Sequence, residues 1–520
     1  MDNLKSYSVA SSAGKVSVST AISRVLGLVR EQVQAYYFGA GMATDAFVAA
    51  FRIPNLLRDL FAEGALSTAF VPVFKEKMIK KGLHEAFRLA NYTMSDLISI
   101  VGVVIALGIV FSPGIVYITA HGFVSEPDKF DLTVNLTRIM FIFLLLISVS
   151  AVQMGILNSA GHFGVPALAP TWFNVGMIIC PVFLYQYFSM PIYTLAIGVI
   201  IGGIGQIVFQ WPSLRSIGYR FRFKTEFKDD GIRKINRLLS PMILGLSASR
   251  INIVVSTLMA SLLMEGSMSY LNYAYRLMHF PLGVFGVALG TVTLPKVSEL
   301  VARERYDQLV KTFNDAIGLS MFLIIPSAVY LAGFGQDIVR LIYERGAFHS
   351  LATTRTAQAL FFYSFGLIGF AGVRVAAPIY YALGDARRPM YYSIISVVIN
   401  IILNFAFIPL WDFAGLAAAT SVAGLANFFL LLYNMKSMIS GMDYKHLYIL
   451  NGKIIFGSLL SFFLTFMIRF DHIIAMSNIW AKIAVVLLQT ILMVVLYMII
   501  LKILKVGEVD KLLNLIRRKK

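Results

Sequence analysis

Apolar runs of about 20 residues, the length that crosses ~30 Å of hydrocarbon at 1.5 Å per residue, recur along the whole of this chain. Run length predicts about fourteen spanning helices, near 10–38, 43–74, 86–118, 132–159, 164–186, 190–214, 236–262, 267–296, 309–335, 353–383, 389–409, 412–435, 449–469 and 480–504. Several runs exceed the minimum, which allows tilt or protruding ends. No stretch is left for a separate soluble domain.

Basic residues alternate between the connections. The second holds Lys75, Lys77, Lys80 and Lys81; the sixth holds Arg215, Arg220, Arg222, Lys224, Lys228, Arg233, Lys234 and Arg237. Later even-numbered connections and the carboxyl-terminal tail are basic too, whereas the odd-numbered ones are nearly bare, with Lys129, Arg340 and Arg345 as exceptions. The positive-inside rule then puts both termini in the cytoplasm. The first residues lack a short apolar core with a small-residue cleavage site, so a retained amino terminus is expected.

A repeat with a nearly constant offset runs through these spans. Ser23-Arg24-Val25 returns as Ser249-Arg250-Ile251, and Ala50-Phe51-Arg52 returns 224 positions on as Ala274-Tyr275-Arg276. Gly122 has its counterpart in Gly346, also 224 positions on. The order of these matches implies two homologous halves. The expected organisation is an N-lobe over 1–214, a basic linker over 215–235, a C-lobe over 236–436, and a two-helix extension with a basic tail over 437–520. Six spans per half is an even number, so the halves insert in the same orientation around an axis along the membrane normal. Paired halves of this kind point to a transporter with a central cavity that opens alternately to each side.

Composition agrees with the pattern: 58% of the 520 residues are hydrophobic, and mean hydropathy is +0.75. The formal charge of +18 sits at span ends and calls for no nucleic acid. Cys180 is the single cysteine, which excludes an intrachain disulfide. No metal-ligand cluster, phosphate-binding loop or catalytic carboxylate pair stands out, so the expectation is a protein that is not an enzyme and needs no cofactor.

The charges inside spans are the informative exception, because each costs at least ~2.5–3.5 kcal/mol at the bilayer centre. The first two spans carry Arg24, Arg30, Asp45, Arg52, Arg58, Asp59 and Glu63. Several arginines suggest a cavity for an anion, since guanidinium grips phosphate oxygens in pairs. Asp45, Arg52 and Glu63 fall on one stripe if their helix is continuous, with Arg58 about 120° away; Pro54 would spoil that alignment by kinking it. The acids serve either as ligand contacts or as counter-charges to the arginines. Arg276, the repeat mate of Arg52, is followed by His279 on a neighbouring face, and Arg374 is a further arginine in an apolar run. Asn400 and Asn404 share a face, with Thr420 and Ser256 on other spans. They form a candidate ion site without a carboxylate, or ordinary interhelical hydrogen bonds.

The stretches SRVLGLVRE, GAGMATDAFVAAFRIPNLLRDLFAEGALSTAFVPVF and YRLMHFPLGVFGVALGTVTLPKVSE resemble the MurJ (MviN) family of lipid II flippases, within the superfamily that includes multidrug and polysaccharide exporters. The resemblance implies an all-α integral membrane protein of the bacterial inner membrane, with two six-helix lobes around a cavity and two final helices lining a groove for the lipid tail. It implies movement of undecaprenyl-diphosphate-linked peptidoglycan precursor, lipid II, to the outer leaflet for cell wall synthesis. Partners would be lipid II, membrane lipids and other peptidoglycan-synthesis proteins. It makes Arg24, Arg30, Arg58 and Arg276 the diphosphate-binding set, and Asp45, Arg52, Glu63 and His279 counter-charge or gating residues. His279 stands where some members have Glu, and Asp59 where some have Arg. The asparagine cluster resembles a sodium site of some members but lacks its acids. Alternatives are export of another lipid-linked oligosaccharide or of an amphipathic drug, or a non-transporting membrane scaffold.

Overall fold

The computed structural model describes residues 9–61, 65–436, 438–439, 444–468 and 479–511. Most of these residues are helical, with no strand among them. The α-helices are α1 (Val9–Phe38), α2 (Met42–Phe61), α3 (Ala65–Lys81), α4 (Leu83–Val110), α5 (Ser112–Thr119), α6 (Pro127–Ser159), α7 (Gly164–Leu168), α8 (Thr171–Leu184), α9 (Tyr193–Ser216) and α10 (Asp230–Ser261). They continue as α11 (Ser267–Pro281), α12 (Val287–Ala302), α13 (Tyr306–Gly333), α14 (Gly335–Tyr343), α15 (Ser350–Ala382), α16 (Arg387–Trp411), α17 (Phe413–Met435), α18 (Tyr444–Phe466) and α19 (Ile479–Ile503).

Among the described residues, ten helices are long and apolar enough to cross a membrane: α4, α6, the pair α7 with α8, α9, α13, α15, α16, α17, α18 and α19. This is four fewer than run length predicts. The other four expected spans fall on α1, on α2 with α3, on α10, and on α11 with α12. These are the segments that hold Arg24, Arg30, Arg52, Arg58, Arg250 and Arg276, charges that lipid alone would not tolerate. The expected span 43–74 covers α2, described to Phe61, and α3, described from Ala65. Pro54 stays inside α2, so the proline does not end that helix. Glu63 and the side chain of Arg250 lie outside the described residues. Pro281 ends α11, and a wide π turn, Leu282–Gly286, precedes α12.

The chain packs as two compact units, Met1–Ser269 with Arg345–Phe348, and Tyr270–Glu344 with His349–Lys520. In the first, α6 is the central helix and touches α2, α3, α4, α5 and α9. Aromatic rings fill its core: Phe51 lies 5.8 Å from Phe173, and Phe143 5.3 Å from the same ring. Where α8 meets α9, Gly176 leaves no room for a methyl, since a Cβ there would lie 2.4 Å from the Gly198 oxygen. Such close backbone approach is how helices gain contact where hydrophobic burial gives no advantage over lipid. Helix α10, which the repeat counts in the second half, packs with α2, α3, α4 and α5 in this unit. In the second unit α15 and α17 are joined in the same way, with Gly369 against Gly424 and Gly366 against Ser421.

Candidate functional site

Asp45 lies in the first turn of α2 and is buried. Thr44 beside it donates to the Phe38 and Gly39 carbonyls, which fixes the turn out of α1. The Asp45 carboxylate accepts from the backbone N–H of Gly266 at 2.7 Å, from the N–H of Ser269 at 2.9 Å and from the Ser269 hydroxyl at 2.6 Å. Those groups open α11, so the acid sits at the positive end of that helix. The cation beside it is Lys129 of α6, 3.5 Å away. The Lys129 ammonium also stands 4.3 Å above the Phe123 ring. Nearby, the Met42 N–H donates to Glu265 at 2.7 Å. Asp45 is expected to be either a ligand contact or a counter-charge to arginines; the cation 3.5 Å from it is a lysine 84 positions away in sequence.

Two further contacts at this end mirror each other. The Gly122 N–H donates to the Ser261 hydroxyl, and a Cβ on Gly122 would lie 2.0 Å from the Ser261 carbonyl oxygen. The Ala347 N–H donates to the Tyr36 carbonyl at 2.8 Å, and a Cβ on its neighbour Gly346 would lie 2.3 Å from that oxygen. Gly346 has φ +58°, a second reason for glycine there. Gly122 and Gly346 are repeat mates, and Tyr36 and Ser261 are separated by 225 positions, nearly the same offset. Asp45 and Ser269 are themselves 224 apart, and Met42 and Glu265 223.

At the far end of α10, ion pairs tie its start to α3. Lys234 donates to Glu76 at 2.5 Å, Lys80 to the other oxygen at 2.8 Å, and Lys77 to Asp229 at 3.2 Å. Lys234 and Lys80 hold the Glu76 carboxyl down at about 2. Burial pushes the Asp229 carboxyl up, but Lys77 and the N–H groups of Gly231 and Ile232 outweigh it and leave it below its usual range.

The expected anion-binding arginines divide between the units. In the first, Arg24 is exposed on α1, while Arg30 is half-buried, paired with Glu31, and 5.5 Å from the Phe173 ring. Arg52 and Arg58 are half-buried on α2. In the second, Arg276 is exposed on α11 and His279 is half-buried one turn on. The His279 Nδ1–H donates to the Tyr275 carbonyl at 3.1 Å, and the Arg374 and Arg276 charges both bear on its ring. Asn404 donates to the Asn400 side-chain oxygen at 3.3 Å, and Asn400 donates to Thr420 at 3.3 Å. This is a hydrogen-bonded ladder between α16 and α17; the Asn404 side-chain oxygen has no partner among the described residues. Ser256 is half-buried on α10 in the first unit.

Sequence reasoning missed Lys129, Glu31 and Glu265. Lys129 left a signal, as a lone cation in a connection whose class is otherwise nearly free of them.

A sequence profile of the family described as Lipid II flippase MurJ matches residues 34–493. A Vibrio cholerae protein named Probable lipid II flippase MurJ is 38% identical over 423 residues, 80% of this chain and 81% of its own length. The Burkholderia cenocepacia protein named Lipid II flippase MurJ is 34% identical over 426 residues, 81% of this chain and 82% of its own. Among solved structures, one titled Lipid II flippase MurJ, inward closed conformation, superposes with a TM-score of 0.78 at 29% identity, covering 94% of this chain and 98% of that one. An inward-facing multidrug MATE transporter of the MOP superfamily reaches a TM-score of 0.66 at 12% identity over 81% of this chain and 98% of its own, which is a likeness of fold alone.

Proposed function

This chain belongs to the lipid II flippase MurJ family, and we propose that it moves the undecaprenyl-diphosphate-linked peptidoglycan precursor from the inner to the outer leaflet of the bacterial cytoplasmic membrane. The observation that carries this reading is the placement of arginines. They lie on α1, α2 and α11, within expected spans that fall short of a lipid-only apolar helix. Charges kept there need an anionic ligand or a polar lining.

In this reading Arg24, Arg30, Arg58 and Arg276 bind the diphosphate, and the polyprenyl tail stays in lipid beside the last two helices. Arg30 is steered by Glu31, so it presents its guanidinium in a fixed direction. The His279 Nδ1–H donates to the Tyr275 carbonyl, which in the neutral ring leaves Nε2 as an acceptor toward the neighbouring arginines. Asp45, with Lys129, Gly266 and Ser269, is a gate latch rather than a ligand. Under the proposed topology, with both termini cytoplasmic, that latch lies at the periplasmic end. Diphosphate binding neutralises arginines that repel one another and favours closure around the substrate. After release, the inside-negative potential draws the positive site back, by up to ~2.3 kcal/mol per charge per 100 mV. The two-lobe organisation over 1–214 and 236–436 is part of the same proposal, supported by the reciprocal Gly122–Ser261 and Gly346–Tyr36 contacts.

The test is purified protein in vesicles carrying a fluorescent precursor, with the externally quenched fraction followed in time. Wild type is expected to equilibrate the leaflets, and Arg276→Ala to return the rate to that of protein-free vesicles. A wild-type rate equal to the protein-free rate contradicts the assignment.

A further inference from the structure

The connection between α9 and α10 is not a free loop. Its backbone N–H groups at Arg222, Lys224 and Glu226 donate to Asn91, Ser95 and Asp96 of α4, at 3.2, 2.9 and 3.1 Å. Asn91 also donates to the Arg220 carbonyl at 3.5 Å and accepts from the Tyr219 hydroxyl at 2.9 Å. Donors two residues apart that all reach one helix mark an extended strap, in which alternate side chains share a side. Phe221 and Phe223 therefore share one side, and Arg220, Arg222 and Lys224 the other.

These side chains are presented outward. Phe221, Phe223 and Phe227 are 44%, 63% and 52% exposed, and the basic residues are exposed as well. The depth of the strap is fixed by its anchors: directly after Asp96, residues 97–110 of α4 contain no charge, so the pins mark where that helix enters the apolar zone. The end of α9 gives the same level, with exposed Trp211 under the Arg215 guanidinium at 5.0 Å. Tryptophan and arginine at a helix end are the side chains of a membrane interface. Over 215–237 there are eight basic residues against three acids, and one of those acids, Asp229, is already taken by Lys77.

We infer that residues 219–228 are an interfacial strap that seats on anionic phospholipid, with Phe221 and Phe223 entering the acyl boundary and Arg220 and Arg222 holding headgroup phosphates. The charge excess and the depth favour a lipid surface over a soluble protein partner, which would not require three phenylalanines at that level. Because the pins are backbone groups and the buried Tyr219 hydroxyl, with Lys224 5.7 Å from the Tyr92 ring, the side chains of Phe221, Arg222 and Phe223 do not hold the strap's shape. The strap leads into Asp229, which caps α10 by accepting from Gly231 at 2.8 Å, so lipid seated here bears on the start of that helix.

The test uses the full chain in phosphatidylcholine bilayers with and without phosphatidylglycerol. Cys180→Ser removes the single cysteine, and spin labels at Phe221→Cys, Arg222→Cys and Phe223→Cys then report depth. Labels at 221 and 223 are expected to be shielded from a water-soluble relaxant and open to oxygen, with 222 the reverse. In the native-cysteine protein, Arg222→Gln is expected to weaken phosphatidylglycerol binding about fivefold, as loss of one interfacial charge should. Equal water access at all three labels, or phosphatidylglycerol binding unchanged by Arg222→Gln, overturns the inference.

Discussion

The Lys129 ammonium lies 3.5 Å from the Asp45 carboxylate, and each side chain is only 2% exposed. The pair joins the start of α2 to the start of α6, while the same carboxylate holds the first turn of α11 through Gly266 and Ser269. Removing one partner leaves the other buried with only its remaining contacts, Glu126 at 3.7 Å for Lys129 and the Gly266 and Ser269 donors for Asp45, so Asp45→Asn and Lys129→Met should each destabilise the protein by about 1–3 kcal/mol. The double variant should lose clearly less than the sum. Denaturation of the four proteins in detergent measures this, and additive losses would refute the coupling.

The reciprocal glycine contacts predict steric sensitivity at two sites far apart in sequence. Gly122→Ala drives a methyl into the Ser261 carbonyl, and Gly346→Ala drives one into that of Tyr36 while also straining a positive φ. Each should cost about 1–3 kcal/mol in the same assay. Gly102→Ala, with nothing within 4 Å of its Cβ, is the control expected to unfold like wild type.

The ties between α3 and α10 predict a pH signature. Glu76 is held at about 2 rather than 4.5 by Lys234 and Lys80, so its native state binds fewer protons than the unfolded chain between those values. Its contribution is complete above about 4.5 and is lost as pH falls toward about 2. The melting-temperature gap between wild type and Glu76→Gln should therefore be constant from neutral pH to about 5 and close below it. A gap independent of pH down to the acid limit would show that the carboxylate charge is not what matters.

The asparagine ladder predicts unequal losses. Asn400 makes both side-chain bonds of the ladder, whereas Asn404 makes one and leaves its own oxygen without a partner among the described residues. Asn400→Leu should cost about 1–3 kcal/mol, and Asn404→Leu clearly less, since it also removes an unsatisfied carbonyl. Denaturation midpoints would decide, and the reverse order would mean that the Asn404 oxygen serves a ligand.

The long helices with few charges in their apolar windows were legible because apolar run length alone specifies them, as in α4, α6 and α13 through α19 with the exception of short, amphipathic α14. The charged segments were harder. Run length could not weigh Arg24 or Arg276 against the apolar residues around them. The partners of Asp45 were illegible for a different reason: Lys129 and Ser269 are 84 and 224 positions away, and helical spacing speaks only about neighbours on one helix. The repeat offset nevertheless held a usable clue, since the distance from Asp45 to Ser269 equals that from Gly122 to Gly346. The interfacial strap was visible only as a basic linker; its alternation acquires meaning from the pins on α4.

The most direct test of the proposed transport is the leaflet accessibility of the lipid-linked peptidoglycan precursor in cells depleted of this protein and complemented with wild type or Arg24→Ala. The account predicts precursor trapped on the inner leaflet, released by wild type and not by a variant that inserts at normal levels. Precursor that reaches the outer leaflet with Arg24→Ala as fast as with wild type would contradict the role given to the arginines, and accessibility unaffected by depletion, with other flippases absent, would contradict the function itself.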